Sequence, residues 1–453
     1  MAKIPTAVWL ALLAGAWILM IGAGLRHAFG LFLPPITAEY GWGREVFSLG
    51  FAIQMFLLGF GSPVAGLIAD RFGTGRVLIA GALLQALGLY GVAQASTPAE
   101  FYLTTGVMMG LGASAVSNVV VIGAIGRMVG EQRVSRAVGV LMAGASMGQI
   151  LMLPAAHLLI ASHGWSRAMV ILSGVALSAI VVTPLLIRGQ AVRQSPRREQ
   201  KVLAALGEAR GHSGYRLLNL GFFVCGFHVF FLATHLPAYA KDLGLAPVVG
   251  ANALMLIGIF NMIGANIWGY LGDRFSKKRM LSLIYLLRAL IISVFLLLPA
   301  ADFSVYLFSA SIGFIWLGTV PLTSGLVRQI FGSQYLSMLY GMVFMSHQVG
   351  GFLGAWMAGW LFDITGSYAV MWGLSIGLAI LAAMVHHPID DRSLEAGTPA
   401  AQIAQAGTPA RVRQKDNTQA GNREVERKDA LAGGSEWPIS KNGNQRTFHQ
   451  TSN

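Results

Sequence analysis

Arg26 and His27 stand side by side inside a long apolar run, and His228 and His235 stand seven residues apart, on one helical face, inside another. If these runs cross a bilayer, a charge at depth costs about 2.5–3.5 kcal/mol on insertion scales, which makes it a candidate for function. Arg26 keeps its charge and presents a planar fork that matches a carboxylate, so the chemistry it offers is recognition of an organic anion. The competing role is structural: an arginine satisfied by backbone carbonyls near an interface. No Asp or Glu lies well inside any apolar run, since all nineteen sit at run ends, in loops or in the tail. A carboxylate proton relay is therefore not expected. The groups at depth that titrate near neutral pH are His27, His228, His235 and His347. For each of them the alternative is a packed, hydrogen-bonded ring, and a substrate anion could also carry the proton itself. Asn118, Trp316, Thr319, Thr323 and Ser324 are further polar groups that could line a cavity, with Trp316 and Thr323 on one face at i, i+7. Arg288 lies nine residues past Arg279, roughly 13 Å deeper at 1.5 Å per residue, and reads as structural or as snorkelling to the interface.

Only membrane-spanning helices could position these groups. Hydrophobic residues make up 55% of the 453-residue chain and charged residues 11%, with a mean hydropathy of +0.62. Soluble domains carry about 25% charged residues, so this chain cannot cover a water-facing surface. The single cysteine, Cys225, excludes a disulfide framework. Twelve runs are long enough to span: 7–33, 46–68, 77–95, 100–126, 137–160, 167–187, 217–239, 250–271, 280–299, 303–327, 335–361 and 366–386. With both termini in the cytoplasm, 27 of the 32 Lys and Arg fall on the inner side and only Arg44, Arg167 and Lys241 fall outside. That asymmetry fixes the expected topology and explains the net charge of +13 as an orientation device rather than a nucleic-acid surface. The first run exceeds the 7–15 residues of a signal-peptide core and is kept as a retained helix.

The chain repeats itself. Residues 66–78 carry Gly66, Asp70, Arg71, Phe72, Gly73, Arg76 and Leu78, and residues 269–281 carry Gly269, Asp273, Arg274, Phe275, Arg279 and Leu281 at an offset of 203. Pro34 and Pro237 are also 203 apart, and Gly148 and Gly350 are 202 apart. The organisation expected is a six-helix bundle over 1–187, a basic cytoplasmic linker over 188–216, a second six-helix bundle over 217–387, and a polar, disordered tail over 388–453. Parallel six-helix repeats are a transporter architecture, with the substrate site between the halves. The acids at 70 and 273 can cap a neighbouring helix or pair with Arg71, Arg76, Arg274 and Arg279, and Gly66 and Gly269 permit close helix approach. No nucleotide loop, zinc-ligand set or nucleophile elbow is present, so the reading is no enzyme and no cofactor.

The loop at 66–78 resembles the signature between helices two and three of the major facilitator superfamily, and 269–279 resembles its weaker copy between helices eight and nine. Gly139, Gly144, Gly148 and Pro154 are similar to the family's fifth helix. The run from Ser346 through His347, Gln348, Gly350 and Gly354 to Tyr368 is similar to its eleventh. Gly41-Trp42-Gly43-Arg44 and Gly164-Trp165-Ser166-Arg167 resemble the outer loops of the bacterial monocarboxylate-porter and oxalate/formate-antiporter branch. The chain departs from that branch in carrying no Arg or Lys in spans eight and eleven, and Ser276 replaces the usual glycine of the second motif copy.

The resemblance implies an all-α membrane protein with twelve transmembrane helices in two pseudo-symmetric bundles. It implies a secondary carrier in the cytoplasmic membrane that moves a small solute by alternating access. It also makes the two motif copies an intracellular latch and has helices one, four, seven and ten line the cavity. The expected partners are a small organic anion, preferably a monocarboxylate, taken with proton symport or anion exchange, and membrane lipid; a monomer suffices. Efflux of a lipophilic compound is the nearest alternative, and a non-transporting membrane sensor is the alternative from another class.

Overall fold

A transmembrane backbone has no water to bond, so each span must satisfy its own N–H and C=O groups, and long apolar runs become helices. The computed structural model describes residues 6–126, 128, 131–187, 207, 209–332 and 336–392, with side chains omitted at 131–136 and 336–337. Most of the expected linker (188–206 and 208), nearly all of the expected tail (393–453) and Arg127 lie outside the described residues.

The helices are α1 (Thr6–Tyr40), α2 (Arg44–Phe72), α3 (Thr74–Gln94), α4 (Pro98–Gly126), α5 (Glu131–His163) and α6 (Trp165–Ile187), followed by α7 (Ser213–Asp242), α8 (Pro247–Arg274), α9 (Lys277–Leu297), α10 (Asp302–Phe331), α11 (Leu336–Thr365) and α12 (Ala369–His386). Eleven of them are long and apolar enough to cross a membrane. The twelfth, α11, is 30 residues long and carries Ser346, His347 and Gln348 in its apolar length.

The packing repeats as the sequence does. Helix α1 packs on α5 as α7 packs on α11; α3 packs on α6 as α9 packs on α12; α2 packs on α4 as α8 packs on α10. The main contacts between the halves, α2 with α11 and α5 with α8, exchange into each other under the same correspondence. Two glycines show why the match is close. A Cβ on Gly148 would strike the Met20 backbone carbonyl of α1, and one on Gly350 would strike the Phe223 carbonyl of α7. Met20 and Phe223 are themselves 203 positions apart. At both places two backbones touch, and only glycine allows it.

Two spans expected to be continuous are broken. Helix α4 is interrupted at 116–117 and α10 at 315–318, corresponding positions in the two halves. Non-helical backbone at membrane depth persists only where its polar groups find partners. In α10 they do: Arg288 Nη2 donates to the Ile315 and Trp316 carbonyls, and Asn261 Oδ1 accepts the Leu317 N–H at 3.1 Å. Arg288 is therefore structural but does not snorkel, being 1% exposed. Helix α4 also opens into a wider π turn over Tyr102–Met108.

Candidate functional site

The halves are joined at the end where α1 turns into α2. Gly43, the N-cap of α2, has no side chain with which to cap the helix. Its role passes to Asp363 at the end of α11, whose carboxylate accepts the backbone N–H of Arg44 at 2.9 Å and of Glu45 at 2.7 Å. A carboxylate at a helix N-terminus satisfies orphan donors and meets the positive end of the dipole. The Arg44 guanidinium forks onto Asp242 of α7, both contacts at 2.7 Å, stacks 3.6 Å over the Phe362 ring, and donates to the Tyr368 hydroxyl at 2.7 Å. Trp356 Nε1 donates to Glu45 at 3.0 Å. A groove of about 280 Å³ lies against this cluster, lined by Thr37, Trp42, Arg44, Lys241, Asp242 and Phe362 among others.

Beneath the ion pair lies a buried polar chain. His235 of α7 places Nδ1 2.8 Å from the Tyr368 hydroxyl and Nε2 2.9 Å from the Ala355 carbonyl and 3.1 Å from Ser48 Oγ. Ser48 Oγ in turn donates to the Arg44 carbonyl at 2.6 Å. The buried Tyr368 hydroxyl thus stands between the Arg44 guanidinium and the His235 ring. Lower still, Gly30 of α1 meets the backbone carbonyls of Ala233 and Thr234 in α7, and Phe51 sets its ring edge-on to Phe230. At mid-depth Gln348 Nε2 donates to the Met55 carbonyl and Gln149 Nε2 to the Leu254 carbonyl, each across the halves.

At the opposite end the motif residues Asp70, Arg71, Gly73, Arg76, Asp273, Arg274 and Arg279 are exposed. Arg76 donates weakly to the Phe72 carbonyl at 3.4 Å, and Arg71 and Arg274 lie over the rings of Phe72 and Tyr270. The close backbone approach expected at Gly66 and Gly269 is absent. A Cβ there would meet only the Val119 and Pro321 side chains, at 3.2 and 3.6 Å. Gly73 is different: its φ of +96° requires glycine. Ser276, the counterpart in the second copy, has a φ of −61°, which explains how serine stands there.

Arg26 is half-buried and has no hydrogen bond or ion pair among the described residues. It lies four residues before Gly30, whose 3-10 turn meets α7 in the other half. His27 returns Nδ1 to its own helix, 2.8 Å from the Ala23 carbonyl. No polar contact joins His228 to Arg26 among the described residues. His228 turns toward α12, its Nε2 2.8 Å from the Ser375 carbonyl, because the tightly packed α7–α11 pair leaves that ring the α12 side of its helix. His235 belongs to the seal, with no polar contact to Arg26. His347 is enclosed by Phe222, Phe230 and Phe344, and its Nδ1 is 3.0 Å from Gln348 Oε1. Asn118 is exposed at the start of the second half of α4. Trp316 and Thr323 are buried, with the indole N–H and the hydroxyl unpaired among the described residues. The seal residues Arg44, Ser48, Asp242, Asp363 and Tyr368 were missed as site residues. Two signals were present: Gly41-Trp42-Gly43-Arg44, read only as an outer loop, and the run through Asp363 to Tyr368, read only as a likeness to the eleventh helix.

A family model described as Major Facilitator Superfamily matches residues 12–327 and again 267–418. Over 374 residues, 80% of this chain and 83% of the relative, the chain is 25% identical to Monocarboxylate transporter 13 of Rattus norvegicus. It is also 25% identical over 395 residues, 84% and 95% of the two chains, to the uncharacterized MFS-type transporter YcxA of Bacillus subtilis (strain 168). Among solved structures, a D-xylose-proton symporter superposes with a TM-score of 0.66 at 15% identity, covering 85% of this chain and 99% of the other. A bacterial homolog of the human lysosomal transporter Spinster, in an inward-facing and unoccupied conformation, superposes with a TM-score of 0.67 at 12% identity, covering 84% and 94%. These structural likenesses establish the fold.

Proposed function

The chain belongs to the Major Facilitator Superfamily, and on that premise we propose that it carries a small monocarboxylate across the cytoplasmic membrane by alternating access, with proton symport or anion exchange. It is a multi-pass transport protein rather than an enzyme, and its relatives include named monocarboxylate transporters. The observation that carries the substrate class is Arg26: a permanent charge inside the first span, four residues before the Gly30 contact with the other half, with no acid bound to it among the described residues. A carboxylate would supply the missing partner in two parallel hydrogen bonds. Trp316, Thr323, Asn118, His27 and His347 are proposed as the surrounding polar lining, and the two motif copies as the latch that engages when the Asp70 end closes. The positive charge gathered beyond the Asp70 end supports placing that end and both termini in the cytoplasm, and the α1–α2 seal outside.

Reconstitution in liposomes tests this reading, with a panel of carboxylates offered with and without a pH gradient. Uptake of monocarboxylates is expected, reduced at least tenfold in Arg26→Ala and partly retained in Arg26→Lys at equal protein. Uptake of a neutral or cationic solute and of no anion would overturn the substrate class. Unimpaired transport by both variants would remove Arg26 from the site.

A further inference from the structure

Six histidines lie within the spans, His27, His157, His228, His235, His347 and His386, and among the described residues only His235 is bonded to both halves. His27 and His347 bond within their own helices, and His228 bonds to α12 of its own half. His235 of α7 touches Ser48 of α2 on one side and Tyr368 and Ala355 on the other.

The direction of each hydrogen bond in this chain follows from the groups available. A guanidinium only donates, so the Tyr368 oxygen accepts from Arg44 Nη1, and the Tyr368 hydrogen is free to go to His235 Nδ1. Nδ1 must then be bare. The single ring hydrogen sits on Nε2 and is donated to the Ala355 carbonyl, with Ser48 Oγ as a second acceptor, since the Ser48 hydrogen is already given to the Arg44 carbonyl. Every donor has an acceptor, and the arrangement exists only for a neutral ring. A proton added at Nδ1 points at a hydroxyl that is itself pointing back. Either the Tyr368 hydrogen loses its acceptor or the Arg44 bond is lost.

Among the described residues no acid is bonded to His235, so the new charge has none of its own. The charged and titratable neighbours are Arg44 and Glu45 on α2, Tyr239, Lys241 and Asp242 on α7, Asp363 on α11 and Tyr368. Asp242 is taken by Arg44, Asp363 by the N-terminus of α2, and Glu45 by Trp356. A second cation, Arg44, shares the Tyr368 hydroxyl with the ring. A buried unpaired charge is costly, and separation of the halves relieves it by admitting water.

Resting on the transport reading above, we propose that His235 is the proton-binding site of the carrier: neutral, it holds the α1–α2 end sealed, and protonated at Nδ1 it opens that end. The proton enters from the side to which the seal opens. By linkage, whatever opens the seal raises proton uptake at His235 by the same factor.

The experiment needs no substrate. Met55 is buried beneath the seal, so Met55→Cys in a Cys225→Ala background gives a single reporter thiol, labelled with a membrane-impermeant maleimide from the sealed side between pH 8 and pH 5. The labelling rate is expected to rise about tenfold along a one-proton curve as pH falls. A thiol by itself reacts more slowly as pH falls, so reagent chemistry works against the expected rise. His235→Gln should flatten the curve. Tyr368→Phe removes the hydrogen bond that favours the neutral ring, and should move the midpoint to higher pH. A pH-independent parent, a His235→Gln curve like the parent's, or an unmoved Tyr368→Phe midpoint would each overturn the proposal, the last serving if His235→Gln does not fold. A protein that titrates in this assay but takes up no carboxylate would lose the proposed substrate and keep the switch.

Discussion

The guanidinium of Arg288, midway along α9, donates from Nη2 to the Trp316 carbonyl at 2.9 Å and so closes the first half of the broken helix α10. A cation there satisfies orphan carbonyls and meets the negative end of a helix dipole. The Ile315 carbonyl, at 3.2 Å, shares the same nitrogen, while Nε and Nη1 have no hydrogen-bond partner among the described residues.

Replacing Arg288 sets two effects against each other. Arg288→Leu leaves two buried carbonyls unpaired, at about 1–3 kcal/mol each, and removes a half-satisfied charge, which offsets part of that. A net loss of about 1–3 kcal/mol is expected, with Arg288→Lys losing less. Thermal unfolding in detergent measures it; a Leu variant melting with the parent would show that the break holds without the arginine.

The two acids of the seal should not weigh equally. Arg44 and Asp242 are 17% and 34% exposed, and such a partly solvated pair contributes about 0–1 kcal/mol. Asp363 makes two charge-assisted bonds to the end of α2, worth about 1–2 kcal/mol as a cap. Asp363→Ala should therefore raise labelling of a cysteine under the seal several-fold more than Asp242→Asn does. The reverse order would place the seal's strength in the ion pair.

Gly30 is tested by a single methyl group. Gly30→Ala would drive that methyl into the Ala233 and Thr234 carbonyls across the halves. Overpacking costs roughly 1–3 kcal/mol, and here parting the halves relieves it without unfolding either bundle. Normal melting with at least tenfold slower transport is expected. Full transport would mean that the two backbones do not close to this distance during the cycle.

The two motif copies differ in their need for glycine. Gly73→Ala forces a side chain into φ +96° and should destabilise by about 1–2 kcal/mol, whereas Ser276→Gly, at φ −61°, should cost only a few tenths. Paired melts of the two variants report this directly; equal losses would show that the turn at Gly73 relaxes.

The spans, the duplication and the motif loops were legible because each is a local property. Hydropathy over about 20 residues marks a span, and the copies at 66–78 and 269–281 are spelled out in the residues. The breaks in α4 and α10 were not legible. A broken helix in lipid depends on partners elsewhere, and in α10 these are Arg288 and Asn261, 27 and 56 positions away. Arg26 could be recognised as a charge at depth, whereas the unpaired state of its guanidinium could not.

The sequence by itself determined that twelve helices form, that six repeat six, and that few charges enter the membrane. Those outcomes follow from the free energy of placing each side chain and peptide group in lipid, which every segment meets alone. Only the tertiary structure decided which way each helix turns about its axis. Rotation and tilt are settled by contacts between helices, as at Gly148 and Gly350, where one missing Cβ lets two backbones meet. That rotation sends His228 to α12 and brings Arg44, His235, Asp363 and Tyr368, drawn from both halves of the chain, into one seal.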